Sequence, residues 1–139
     1  MKMKVKLDEH AIMPTRAHDT DAGLDIMTPF AFQLSAWSTS VIHTGVHVEL
    51  PPGTCGILKS KSGLNVKHTI STVDGVIDEG YTGEIAVRIQ NTSPEGHHFL
   101  RGDKITQLVI VPYIAPDLEL VYKLCDTDRG DNGFGSTGR

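Results

Sequence analysis

The 139 residues of this chain suffice for one ordinary domain with a real core and are too few for two. Its formal charge of -4, with seven histidines counted neutral, offers no broadly basic surface. A nucleic-acid polymer is thereby disfavoured as a partner, whereas a small anion held by one local cluster of donors is not.

The basic N-terminus MKMKVKLDEH lacks the apolar stretch of a secretion signal, and no run approaches membrane-spanning length. The first distinctive segment is a glycine- and charge-bearing island at 21–25, Asp-Ala-Gly-Leu-Asp. From Ile42 the positions Ile42, Val46, Val48 and Leu50 are apolar with His43, His47 and Glu49 between them, the period of a strand with one buried face. Pro51, Pro52 and Gly53 end it. Cys55 has neither disulfide-framework nor metal-ligand spacing to Cys125, so both read as reduced, small hydrophobes of a cytoplasmic protein. A second island, Lys-Ser-Lys-Ser-Gly, occupies 59–63, and residues 62–68 have room for one short helical turn. A third island spans 75–81.

Strand alternation returns at Ile85, Val87 and Ile89 against Arg88 and Gln90, followed by a turn signal, Ser-Pro-Glu-Gly, at 93–96. Residues 105–111 are apolar enough to be buried on both faces. A further strand is expected from Leu118, Leu120, Tyr122 and Leu124 around Glu119 and Lys123. Residues 126–139 hold four glycines and one large apolar side chain, Phe134. That stretch cannot fold by itself, and reads either as a frayed end or as a flexible lid that orders over a ligand. With helix scarce and no linker visible, residues 1–139 are expected to form one all-β domain, a sandwich or barrel.

With a fourth island in the tail at 129–138, the islands supply carboxylates for a hydrated metal, lysines, hydroxyls and amides for phosphate, and the arginine Arg129. Each alone has a plain explanation: Asp21 and Asp25 as turn residues, Ser62 and Gly63 as a strand end, Asp78 as a carboxylate facing water. Several matches lead nowhere. Residues 133–138 fit GxGxxG but precede no helix. The sequence from Asp19 resembles a calcium loop but has Phe30 where the bidentate glutamate belongs. His43 and His47 lack a third ligand for zinc.

In order, the islands resemble the five motifs of the homotrimeric dUTPases. AGLDI at 22–26 is similar to the first, SKSG at 60–63 to the second and GVIDEGYTGE at 75–84 to the third. RGDKITQLVI at 101–110 resembles the fourth and RGDNGFGSTG at 129–138 the fifth. The resemblance implies a β-barrel-like, distorted jelly roll assembled as a threefold trimer. The first, second and fourth motifs of one subunit would share each active site with the third motif of a second subunit and the fifth of a third. It implies magnesium-dependent hydrolysis of dUTP to dUMP and pyrophosphate, which limits uracil in DNA and supplies dUMP for dTMP synthesis.

Carried onto this chain, Asp78 is the base that deprotonates the water attacking the α-phosphorus, and Tyr81 packs beneath deoxyribose where a 2′-hydroxyl would sit. A hairpin over 73–86, including Asp74, Gly75, Val76, Ile77 and Ala86, reads uracil largely through backbone groups. Asp25 accepts from a water of the magnesium ion. Ser62 and Gly63 donate to the α- and β-phosphates with Lys61 nearby, assisted by the backbone amide of Gln107. Arg129, Ser136 and Thr137, with Gly135 among them, hold the γ-phosphate while Phe134 stacks on uracil. Lys61 stands where arginine is commonest, a point charge in place of a planar fork. Asp74 lies in the region where many bacterial members place an asparagine. A dCTP deaminase would share the fold and the trimer, but the pair Asp78 and Tyr81 and the complete tail favour the hydrolase. Intact catalytic positions disfavour a purely nucleotide-sensing or protein-binding member.

Overall fold

The computed structural model describes residues 2–133. Ten strands and one short helix follow one another: β1 (Lys4–Leu7), β2 (Gly23–Met27), β3 (Phe32–Leu34), β4 (Thr39–Glu49), β5 (Thr54–Lys59), α1 (Ser62–His68), β6 (Ile70–Thr72), β7 (Gly75–Ile77), β8 (Glu84–Asn91), β9 (His97–Phe99) and β10 (Lys104–Pro112). They form two four-stranded sheets, ordered β1-β4-β8-β6 and β2-β10-β5-β7, with β3 and β9 as a separate pair. All paired strands are antiparallel, as an all-β jelly-roll-like fold requires.

The strands β4 and β8 confirm the alternation read from the sequence. Ile42, Val46 and Val48 of β4 and Ile85, Val87 and Ile89 of β8 are buried together with Leu24, Ile26, Leu58, Ile105 and Leu108 of the other sheet. Each such side chain contributes about 1.5–3 kcal/mol by leaving water. The ladder between β4 and β8 is interrupted between His43 and His47. There Thr44 donates to the Ile85 carbonyl (2.6 Å) and Gly45, at φ +66, donates its N–H to Glu84 (2.8 Å), so side chains bridge the irregularity. At the end of β4 the chain turns through Pro51, Pro52 and Gly53, the last with φ +74.

Three expectations need correction. The segment holding Leu118, Leu120, Tyr122 and Leu124 is no strand: residues 113–133 contain no strand or helix. Leu118 is 97% and Leu120 99% exposed. Alternating apolar residues form a strand only when a sheet edge pairs with them and a layer covers them, and the described part of one chain supplies neither. The first and third islands are not loops throughout, since β2 is buried along its whole length and Gly75–Ile77 is β7. Residues 73–86 are not one paired hairpin: β6 and β8 pair up to the bond from Val73 N–H to Arg88 O (2.8 Å), after which β7 crosses to pair with β5 of the other sheet.

Candidate active site

Asp25 is the centre of the best-defined polar cluster. It lies mid-strand on β2, opposite Gln107 of β10 and bridged on its other side to Thr15, so its side chain is only 5% exposed. A lone carboxylate at that depth needs compensation. Lys104 meets one oxygen at 2.7 Å and Lys61 meets the other. Burial pushes the Asp25 pKa up, but the hydrogen bonds from Lys104 and Lys61 outweigh it, so the carboxyl is held below its ordinary range. Lys104 escaped the sequence reading. Its only sequence signal is a cation within the fourth motif, RGDKITQLVI.

Gln107 spans the gap between Asp25 and the second island. Its side chain lies across Gly23, where any Cβ would collide with the glutamine amide, and its Nε2 donates to the Ser60 carbonyl at 2.9 Å. Buried hydroxyls fix the same loop: Thr72 donates to Thr106 (2.9 Å), Thr106 to the Lys59 carbonyl (2.9 Å), and the Thr72 N–H to Ser60 Oγ (2.9 Å). Ser62 and Gly63, both exposed, then open α1. Lys61 stands at the N-cap without a side-chain cap bond, and the first turn carries no acidic residue. The first-turn N–H groups of such a helix point outward, suited to an anion.

The third island presents a separate surface. Tyr81 N–H donates to the Asp78 carbonyl (3.0 Å), closing a turn on which the Asp78 carboxylate is exposed. The Tyr81 hydroxyl donates to the Glu84 carbonyl (2.9 Å), and its ring covers Gly83, where an added Cβ would come within 2.8 Å of the ring edge. Val76 is exposed on β7, Ala86 is exposed on β8 opposite His43, and Asp74 meets Lys59 at 3.4 Å.

Within one chain the two surfaces do not meet. Ile77 pairs with Gly56, whereas Ser60 lies four residues further along at the opposite end of β5. At about 3.3 Å per residue, the Asp78 turn sits on the order of 13 Å from the phosphate-type cluster. Arg129 lies on an exposed turn and donates to the Asn132 carbonyl at 3.1 Å. Phe134, Gly135, Ser136 and Thr137 lie outside the described residues.

No group of three His, Cys, Asp or Glu side chains able to hold a metal directly occurs among the described residues. His43 pairs with Glu84 (2.8 Å) and His47 with Asp8 (2.9 Å) and the Thr82 carbonyl (3.0 Å). The fit to magnesium is better at Asp25, because a single hard oxygen donor suits an ion that keeps its waters and takes its other ligands from phosphate.

The dUTPase family model matches residues 9–138. The chain belongs to the dUTPase family. It is 40% identical to the deoxyuridine 5'-triphosphate nucleotidohydrolase of Crocosphaera subtropica, over 99% of each chain. It is also 40% identical to that of Mus musculus, over 97% of this chain and 83% of the mouse protein. Among solved structures it resembles Staphylococcus bacteriophage 80alpha dUTPase with dUPNHPP, with a TM-score of 0.92, 32% identity and 99% of each chain covered. A mutant dUTPase from phage phi11 of S. aureus, described with a structural Mg(II) ion, has a TM-score of 0.82 and 33% identity over 88% of this chain and 98% of its own. Asp25, Lys61, Gln107, Asp78 and Tyr81 of this dUTPase-family chain thus stand on a scaffold shared with nucleotide-bound relatives.

Proposed function

We propose that this chain is a dUTP diphosphatase that hydrolyses dUTP to dUMP and pyrophosphate. The observation that carries the reading is the convergence of three sequence-distant motifs on the buried Asp25, beside uncapped helix N–H groups. Ser62 and Gly63 bind the α- and β-phosphates, Lys61 leaves Asp25 to face them, and Gln107 holds the loop. Asp25 would hold magnesium through water, and the ion would supply neutralisation of the triphosphate charge. Asp78 takes a proton from water as its oxygen bonds to the α-phosphorus and the bond to the bridging α–β oxygen breaks, releasing pyrophosphate. As a general base it accounts for about 10²–10⁴ in rate, or roughly 3–5 kcal/mol. Tyr81 fills the space of a 2′-hydroxyl, and residues 74–77 with Ala86 border uracil. Arg129, Ser136 and Thr137, with Gly135 in the same run, bind the γ-phosphate as Phe134 closes over the base, excluding bulk water.

The active unit is a homotrimer with shared sites. Two features support this: the separation of Asp78 from the Asp25 cluster, and the uncovered apolar residues between Ile114 and Leu124. A groove of about 370 Å³, where Met3, Val5, Met13, Leu24 and Ile110 stand beside Arg16, is mostly apolar. Exposed apolar surface of this extent calls for a covering subunit. A cytoplasmic setting accords with free Cys55 and Cys125 and with the absence, among described residues, of a helix able to cross a membrane. The test is pyrophosphate release from dUTP, dCTP, dTTP and UTP with and without magnesium. Selective, magnesium-dependent release from dUTP is expected; ammonia release from dCTP, or no turnover, overturns the assignment.

A further inference from the structure

The turn that carries Asp78 and Tyr81 is anchored by the residue between them that the mechanism leaves unused. Glu79 Oε2 accepts from the Gly53 N–H (2.9 Å) and from the Tyr113 hydroxyl (2.8 Å). Tyr113 N–H in turn donates to the Gly53 carbonyl (3.2 Å). These three bonds close a ring over three segments: the turn after β7, the turn between β4 and β5, and the residue immediately following β10. Glu79 is half-buried, and a phenol donating to a carboxylate makes one of the stronger neutral-to-charged bonds. The carboxylate also keeps the Tyr113 hydroxyl protonated, raising its pKa by accepting its hydrogen bond and by its charge.

Asp78 needs such an anchor. Its exposed carboxylate has no side-chain hydrogen bond among the described residues, and the turn's own bond from Tyr81 N–H lies open to water. Gly53, by contrast, sits between two core strands in a turn closed by Thr54 N–H donating to Pro51 O (3.2 Å), so a bond to it refers Asp78 to the rigid part of the fold. Tyr113 is where the chain leaves β10 for the segment that bears Arg129. Position of the base and direction of the arm therefore meet at one carboxylate.

We propose that Glu79 and Tyr113 form a clasp that positions Asp78 and Tyr81 for hydrolysis and ties their turn to the root of the C-terminal segment. The inference rests on the diphosphatase reading, and Glu79 acts in it as a positioning residue, touching neither the attacking water nor the substrate.

The test compares full-length Glu79→Ala, Glu79→Gln, Tyr113→Phe and the double variant Glu79→Ala/Tyr113→Phe with wild type. A base displaced by about 1 Å costs up to ~10² in rate, so Glu79→Ala is expected to lower kcat about tenfold or more, with a smaller rise in KM for dUTP from the loosened Tyr81. Glu79→Gln, whose amide oxygen still accepts both bonds, recovers most of the loss. The double variant falls no further than Glu79→Ala, because both changes open the same ring. Hydrogen exchange at the Tyr81 amide supplies a readout independent of turnover: it quickens in Glu79→Ala and Tyr113→Phe and not in Glu79→Gln. Wild-type kcat in Glu79→Ala, losses that multiply in the double variant, or unchanged Tyr81 exchange overturns the clasp. Should Glu79→Ala fail to fold, Tyr113→Phe alone decides: slower turnover with faster Tyr81 exchange supports the clasp, and wild-type values reject it. If wild type itself releases no pyrophosphate from dUTP, the diphosphatase reading is what fails, and exchange alone then judges the clasp.

Discussion

Asparagine at position 25 keeps the shape of the side chain and removes only its charge, which isolates the role of the ion triad. Stranding a fully buried partner costs about 3–5 kcal/mol, but here the two lysine side chains are 26% and 47% exposed and can turn to water. What remains is the loss of two charge-assisted bonds at a carboxylate 5% exposed, offset by that resolvation, and we expect Asp25→Asn to destabilise by about 2 kcal/mol at pH 7. With a urea slope of about 2 kcal/mol per molar, the unfolding midpoint falls by about 1 M. The assay is urea unfolding followed by the fluorescence of Trp37, at one protein concentration because association raises apparent stability. The pH dependence has a definite sign. Burial alone would raise the Asp25 pKa, but Lys104 and Lys61 lower it below its unfolded value, so the unfolded chain binds this proton more tightly. The advantage of wild type over Asp25→Asn is therefore complete above the ordinary carboxylate pKa of about 4 and is lost as pH falls through the lower folded value. Equal midpoints at pH 7, or a gap that widens toward acid, would refute the reasoning.

Asp78→Asn is expected to bind dUTP normally and to lose about 10²–10⁴ in turnover, read by equilibrium binding beside single-turnover kinetics; near-wild-type turnover rejects Asp78 as the base. A chain ending at Asp128 keeps its assembly state by light scattering yet loses most hydrolysis, and a fully active truncated protein contradicts the lid. UTP should fall behind dUTP in kcat/KM by about a hundredfold or more if Tyr81 excludes the 2′-hydroxyl. Comparable values would remove Tyr81 from that role.

What the sequence made legible depended on whether one chain satisfies its own pattern. The alternation from Ile42 to Leu50 and from Ile85 to Ile89 became β4 and β8 because each strand finds both neighbours and core within the chain. Alternation from Leu118 to Leu124 is equally regular, yet those residues stand in solvent. A hydrophobic period states that a face must be covered and not which chain covers it. Strands β3, β6, β7 and β9 are three residues each, too short to display a period. Asp25 looked like a loop carboxylate because its compensating cations, Lys61 and Lys104, come from other parts of the chain and only the folded register brings them to it. For the same reason the Glu79 and Tyr113 pair, 34 positions apart, left no mark in the sequence.

Two inactive proteins can test the shared site directly. The Asp78→Asn chain retains its arm, and the chain ending at Asp128 retains its base. Unfolded together in equal amounts and refolded, they assort at random into threefold rings, where about one site in four draws Asp78 from one intact donor and the arm from another. The account predicts recovery of about a quarter of wild-type dUTP turnover in the mixture, from components that are nearly inert when refolded separately. A mixture as inactive as its components would mean that base and arm come from the same subunit, and the composite site would be contradicted.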